Sequence, residues 1–86
     1  MTWQIVFTPT AEREFFGLDP TVQNRITAKI DDLEQRGPLL PGVKQLHDAK
    51  RIFRVRVGSW RILYQVEFDK NIITISSIAH RSRAYR

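Results

Sequence analysis

The chain is 86 residues long, 42% hydrophobic and free of cysteine, which limits it to a single small domain (1–86) and excludes disulfides and thiolate metal sites. No apolar run approaches the roughly 18–20 residues of a membrane span, and Met1–Gln4 lacks the features of a secretion signal, so the reducing cytoplasm is the expected compartment and no membrane partner is expected. Fourteen Lys and Arg against nine Asp and Glu give a formal charge of +5, and two isolated histidines suggest neither a metal nor a cofactor.

Residues 1–7 alternate loosely, with Trp3, Ile5 and Phe7 on one face of a short strand. Thr8-Pro9 then has the form of an N-cap followed by proline at the first helical position. Ala11, Phe15 and Leu18 continue at helical spacing, and Gly17 weakens the end of that helix. Asp19-Pro20 repeats the cap-plus-proline signal. From there Val22, Ile26, Ile30 and Leu33 make one apolar stripe, which Gly37-Pro38 stops. The short link between the two helices predicts an antiparallel hairpin.

The period changes in the second half. Phe53, Val55 and Val57 alternate with Arg54 and Arg56, giving a strand with one apolar and one cationic face. Gly58-Ser59 supplies a turn, Trp60–Val66 a second strand, residues 67–71 another turn, and Ile72–Ala79 a third strand. The order β-α-α-β-β-β predicts an α+β fold: an N-terminal strand, a helical hairpin on one sheet face, and a three-stranded antiparallel meander whose other face is free for function.

Charge is concentrated in that second half. Residues 1–43 carry a net −2, residues 44–61 a net +5, and residues 62–86 a net +2 with Arg81, Arg83 and Arg86 near the end. A polyanion partner and a merely soluble surface both fit these totals, while the excess of arginine over lysine leans towards phosphate. Arg54 and Arg56 share a face, and Arg61 begins the neighbouring strand beside them. A solvated outer face fits such a trio. The absence of an interleaved acid, with only Asp48 nearby, favours an anion site.

Arg81, Arg83 and Tyr85 are spaced by two and point one way if the extended conformation continues, where Tyr85 can stack on a base. A frayed basic terminus fits them equally well. His80 is the one side chain near this cluster able to titrate close to neutrality, hence the candidate general base. Strand parity sets it opposite Arg81 unless a bulge intervenes, and a histidine packed at the sheet's end fits that position better. His47 has no neighbouring partner and is expected on the surface. The four glycines form no phosphate loop, Glu12 and Glu14 are too close in sequence for a paired-carboxylate site, and Ser76 and Ser77 lack a positioned histidine and acid.

The segments "IVFTPTAEREFFGLD", "VQNRITAKIDDL", "GVKQLHD", "IFRVRVGSWRILYQV" and "SIAHRSRAYR" together resemble the RelE/ParE superfamily of type II toxin–antitoxin toxins over nearly the whole chain. The block "RVRVGSWRILYQV" followed by a basic end with tyrosine is the most specific part. The resemblance implies a RelE-like microbial RNase fold. It also implies a metal-independent endoribonuclease cutting mRNA in the ribosomal A site, with Arg54, Arg56, Arg61, Arg81 and Tyr85 at catalytic positions. Lys44, Arg51 and Arg83 would add RNA-binding charge around them. A cognate antitoxin in a hetero-oligomeric complex and the mRNA-bearing ribosome are the implied partners. The ParE branch, whose target is DNA gyrase, shares the fold but generally lacks this cationic set, so the set favours the nuclease branch. An inactive RNA-binding domain of the same fold is a third alternative. Where RelE-like members often carry lysines, this chain has Arg54 and Arg56, which stay protonated. Catalysis is then either almost purely electrostatic or draws a base from His80 or Tyr85.

Overall fold

Thr8 ends an edge strand and caps a helix in one step. In the computed structural model, which describes residues 2–46 and 51–82, strand β1 (Gln4–Phe7) leads directly into helix α1 (Pro9–Phe16). The Thr8 hydroxyl accepts from the Ala11 N–H at 3.1 Å, as the sequence predicts. Helix α2 (Pro20–Arg36) begins differently from expectation. Pro20 opens it, but Asp19 makes no side-chain cap, and the Gln23 amide instead donates to the Phe15 carbonyl at 3.0 Å, tying the two helices together. The stripe on α2 is buried through Ile26, Ile30 and Leu33, with Val22 half-buried.

The helix ends on Gly37, whose φ of +93° is left-handed, and the Trp3 indole Nε1 lies 3.2 Å from where a Cβ would stand. A side chain there would be strained by both. The Trp3 backbone N–H also donates to the Glu34 carbonyl at 2.9 Å, so the end of α2 and the start of β1 are fixed as a unit.

The sheet has five strands where the sequence predicted four. The addition is β2 (Lys44–Gln45), followed by β3 (Ile52–Val57), β4 (Trp60–Glu67) and β5 (Ile72–His80). Their spatial order is β1-β5-β4-β3-β2, antiparallel throughout except for β1, which runs parallel to β5. Among the described residues no helix is long and apolar enough to cross a membrane.

Helices α1 and α2 and one sheet face enclose the core, built on Ile26, Leu33, Val55, Ile62, Tyr64, Val66, Ile73, Ile75 and Ile78, all fully buried. Tyr64 stacks on its cross-strand partner Phe53, ring centroids 5.8 Å apart, and its hydroxyl donates to the Pro38 carbonyl at 2.6 Å.

A β-bulge interrupts β4–β5. Leu63 pairs with Ser77 but Tyr64 pairs with Ile75, leaving Ser76 over. Its hydroxyl donates to the Leu63 carbonyl at 3.1 Å, and its carbonyl accepts from the Thr8 hydroxyl at 3.3 Å. The extra residue changes which side chains face the core, from Ile73 and Ile75 before it to Ile78 after it. Ala79 thereby takes the face of Arg61, and His80 the face of Trp60.

Candidate functional site

The sheet face away from the helices carries the basic residues, and register decides which ones meet. Phe53, Val55 and Val57 are buried on the helix side, so Arg54 and Arg56 project from the other face. Arg56 lies directly opposite Arg61, and Lys44 directly opposite Arg54. Directly opposed side chains share a face, so three adjacent strands contribute four cations to one surface. Like charges placed this way oppose folding, and an anion laid across them relieves the repulsion.

Arg61 differs from its neighbours in being 8% exposed, whereas Arg56 is exposed and Arg54 half-buried. Burial pushes its guanidinium below the ordinary arginine range, and the charges of Arg56, Arg54 and Arg81 push the same way. Arg61 nonetheless remains a cation at any physiological pH. The same field places Arg81, which the sequence kept apart from the trio, within electrostatic reach of it.

The β3–β4 turn holds this register. Gly58 occupies the first position of a two-residue hairpin with φ +61°, as a type II′ turn requires, and the Arg25 guanidinium of α2 packs where a Cβ would project. Gly58→Ala is expected to cost about 1–2 kcal/mol, read as a lowered midpoint in urea denaturation with an unchanged slope.

Arg81 leaves β5 under restraint on both sides. Its own N–H donates to the Ser59 carbonyl at 2.7 Å. The next peptide N–H, that of Ser82, donates to His80 Nδ1 at 3.4 Å, and the Ser82 hydroxyl lies 3.1 Å from the same nitrogen. The His80 ring in turn meets Trp60 edge-on at 5.3 Å. His80 thus belongs to the helix side of the sheet end, where the bulge at Ser76 puts it, and it buttresses the turn carrying Arg81.

The other expected residues divide as follows. Lys44 joins the arginine face, a placement that depends on the unpredicted β2. Arg51 is exposed just before β3, where alternation gives it the side of Phe53. Arg83, Tyr85 and His47 lie outside the described residues. Ser76 is the residue that sequence reasoning passed over, since its bulge brings positions 79 and 81 round to the arginine face. Two adjacent serines interrupting Ile73, Ile75 and Ile78 were its only signal.

Residues 5–85 match the family model described as the ParE toxin of type II toxin–antitoxin system, parDE. The chain is 27% identical to Toxin RelG of Mycobacterium tuberculosis over 86 residues, spanning 100% of this chain and 99% of that protein. In fold it is similar to the toxin–antitoxin complex RelBE2 of M. tuberculosis, with TM-score 0.80, 25% identity, and 94% and 100% of the two chains covered. It is likewise similar in fold to the isolated E. coli RelE toxin, with TM-score 0.82, 20% identity, and 96% and 88% covered.

Proposed function

The chain belongs to the ParE toxin family of type II toxin–antitoxin systems and is a toxin of RelE type, and from that premise we propose that it is a ribosome-dependent, metal-independent mRNA endonuclease. The observation that carries this reading is the buried Arg61 set among Arg54, Arg56 and Arg81. A surface built only for solubility has no use for a desolvated cation in a like-charged field. A phosphodiester does, because a desolvated cation acts more strongly on a charge that grows in the transition state.

In the proposed reaction the ribose 2′-oxygen attacks the adjacent phosphorus and the bond to the 5′-oxygen breaks. The products are a 2′,3′-cyclic phosphate and a 5′-hydroxyl, with the 2′-proton ending on the leaving oxygen. Arg61 offsets charge on the equatorial oxygens, and Arg54, Arg56 and Lys44 hold the backbone in line. Arg81, at the sheet end, serves the leaving oxygen. Tyr85 would stack on the nucleotide, and Arg83 and Arg51 would add phosphate contacts. The ribosome, in the cytoplasm, would supply the bent mRNA geometry that so small a protein cannot impose.

Because the M. tuberculosis relative of like fold is a toxin–antitoxin complex, a cognate antitoxin forming a hetero-oligomer is the expected protein partner.

The test is mRNA cleavage by the purified protein on programmed ribosomes, mapped by primer extension, with naked RNA alongside. A cut confined to the A site supports the reading. Equal cutting of naked RNA removes the ribosome from it, and no cut together with DNA breaks in cells replaces it by gyrase inhibition.

His80 has a distinct expectation as the buttress of Arg81 rather than the base. His80→Asn keeps an acceptor for the Ser82 N–H and should hold kcat within a few-fold. His80→Phe keeps the ring without the acceptor and should lower kcat roughly 10- to 100-fold at nearly constant KM. Equal losses in both variants, measured by single-turnover cleavage, would return His80 to the role of base.

A further inference from the structure

The arginine face does not end at β5. Strand β1 stops at Phe7, opposite Ile75, so the outer edge of β5 beyond that point is left to α1. Glu14 covers part of it: its Oε1 accepts from the Ile78 N–H at 2.9 Å and from the Ser77 hydroxyl at 3.2 Å. Between α1 and this edge runs an open groove of about 600 Å³, whose lining includes Arg13, Glu14, Trp60, Ser77, Ala79 and His80. Its volume is that of a site for a nucleotide-sized ligand.

Three features give the groove a chemistry. Trp60 and His80 meet edge to face and supply an aromatic wall. Glu14 is half-buried, its Oε1 already takes two donors, and its Oε2 takes none among the described residues. Ala79, which lines the groove, is the direct cross-strand partner of Arg61. Ala79 and Ser77 thus bring one rim of the groove to the arginine face, one strand from Arg61, while Trp60 and His80 line it from the helix side, so a nucleotide reaching both passes round the β5 edge.

We propose that this groove is a base-reading subsite, taking the nucleobase next to the scissile phosphate and selecting one with an exocyclic amino group through Glu14 Oε2. The proposal rests on the nuclease reading for the identity of the phosphate, and on the groove alone for the base. Glu14 is held at the β5 edge by Ile78 and Ser77 through Oε1, which leaves Oε2 as the acceptor offered to a ligand in the groove. Adenine, cytosine and guanine each present an amino group. Uracil presents carbonyl oxygens on both sides of its single N–H, and these would oppose the carboxylate. Arg13, exposed on the outer rim, faces the solvent side where a flanking phosphate would pass.

The test is a titration of the full-length protein with adenosine, cytidine and uridine 5′-monophosphates, following backbone amide shifts by NMR. Shifts at Gly17, Ile78 and Ala79, with uridine monophosphate binding about tenfold more weakly, are expected. Glu14→Gln keeps an oxygen for Ile78 and Ser77 but turns the second acceptor into an amide donor, so the preference should reverse towards uridine. Should that variant fail to fold, the contrast among the three nucleotides in the wild type decides by itself. Shifts confined to the arginine face and equal for all three overturn the subsite, whatever the ribosome assay gives. Absence of mRNA cleavage with the nucleotide preference intact overturns the nuclease reading and leaves the subsite standing.

Discussion

Replacing Arg61 by alanine is expected to lower the rate of ribosome-dependent cleavage by about 10²–10³ while leaving the protein at least as stable as before. The two effects have one cause. Arg61 is 8% exposed, lies directly opposite Arg56, and feels Arg54 and Arg81 as well, so the folded state holds its charge at a disadvantage relative to the unfolded chain. Removing the charge relieves that disadvantage, though alanine also leaves space behind. Arg61→Met fills the space and so separates loss of the charge from loss of packing. Single-turnover kinetics and a thermal melt on the same preparations check both halves. A melting temperature that falls in Arg61→Met would mean that the side chain is chiefly structural. An unchanged rate would mean that the transition state lies elsewhere.

Tyr64→Phe is expected to cost about 1–3 kcal/mol, a large fraction of the roughly 4–13 kcal/mol available to a domain of this length. The ring is fully buried against Phe53, and phenylalanine preserves that packing. What is lost is the 2.6 Å hydrogen bond to the buried Pro38 carbonyl, which then has no donor among the described residues. Each kcal/mol lowers the melting temperature by about 4–8 °C in a domain this small. The pH dependence separates this loss from a general loosening. Burial pushes the Tyr64 phenol well above its ordinary range, so the folded state keeps the proton after the unfolded state has lost it. Stability from this group is complete below the unfolded value of about 10 and declines as pH rises beyond it. Urea denaturation of wild type should show this alkaline decline, and Tyr64→Phe should lack that share of it.

Much of this architecture was legible in the sequence because it is local. Thr8-Pro9, the Val22–Leu33 stripe and Gly37-Pro38 mark their helices through contacts a few residues long. The alternation of Phe53, Arg54, Val55, Arg56 and Val57 assigned each side chain to its face. What stayed hidden depends on partners distant in the chain or on a single extra residue. β2 is two residues long and has no periodicity to detect, yet it carries Lys44 to Arg54. The pairing of β1 with β5 joins residues 68 apart. Asp19 resembles a cap, but the bond it would have supplied is not made, and Gln23 secures the helix start instead.

The site was legible in its residues more than in its environment. Parity put Arg54, Arg56 and Arg61 together, but arginine composition gives no hint that one of them is buried. The convergence of Arg81 on them depends on the bulge at Ser76. Without that residue, strict alternation from Ile75 would put Ser77 and Ala79 on the core side, with His80 facing the arginines.

The parallel pairing of β1 with β5 bears on when such a protein becomes dangerous to its maker. The sheet's edge strand is synthesised first and its neighbour last, so during translation β1 has no partner to lie against. Each terminal strand must wait for the other, and that closure is slow compared with helix formation because it joins distant parts of the chain. The groups that would cut RNA are divided in the same way: Arg54, Arg56 and Arg61 are made before β5, and Arg81 after it. A chain whose β5 is not yet made therefore lacks both its closed sheet and Arg81. The order of the strands thus ties completion of the charged face to closure of the sheet.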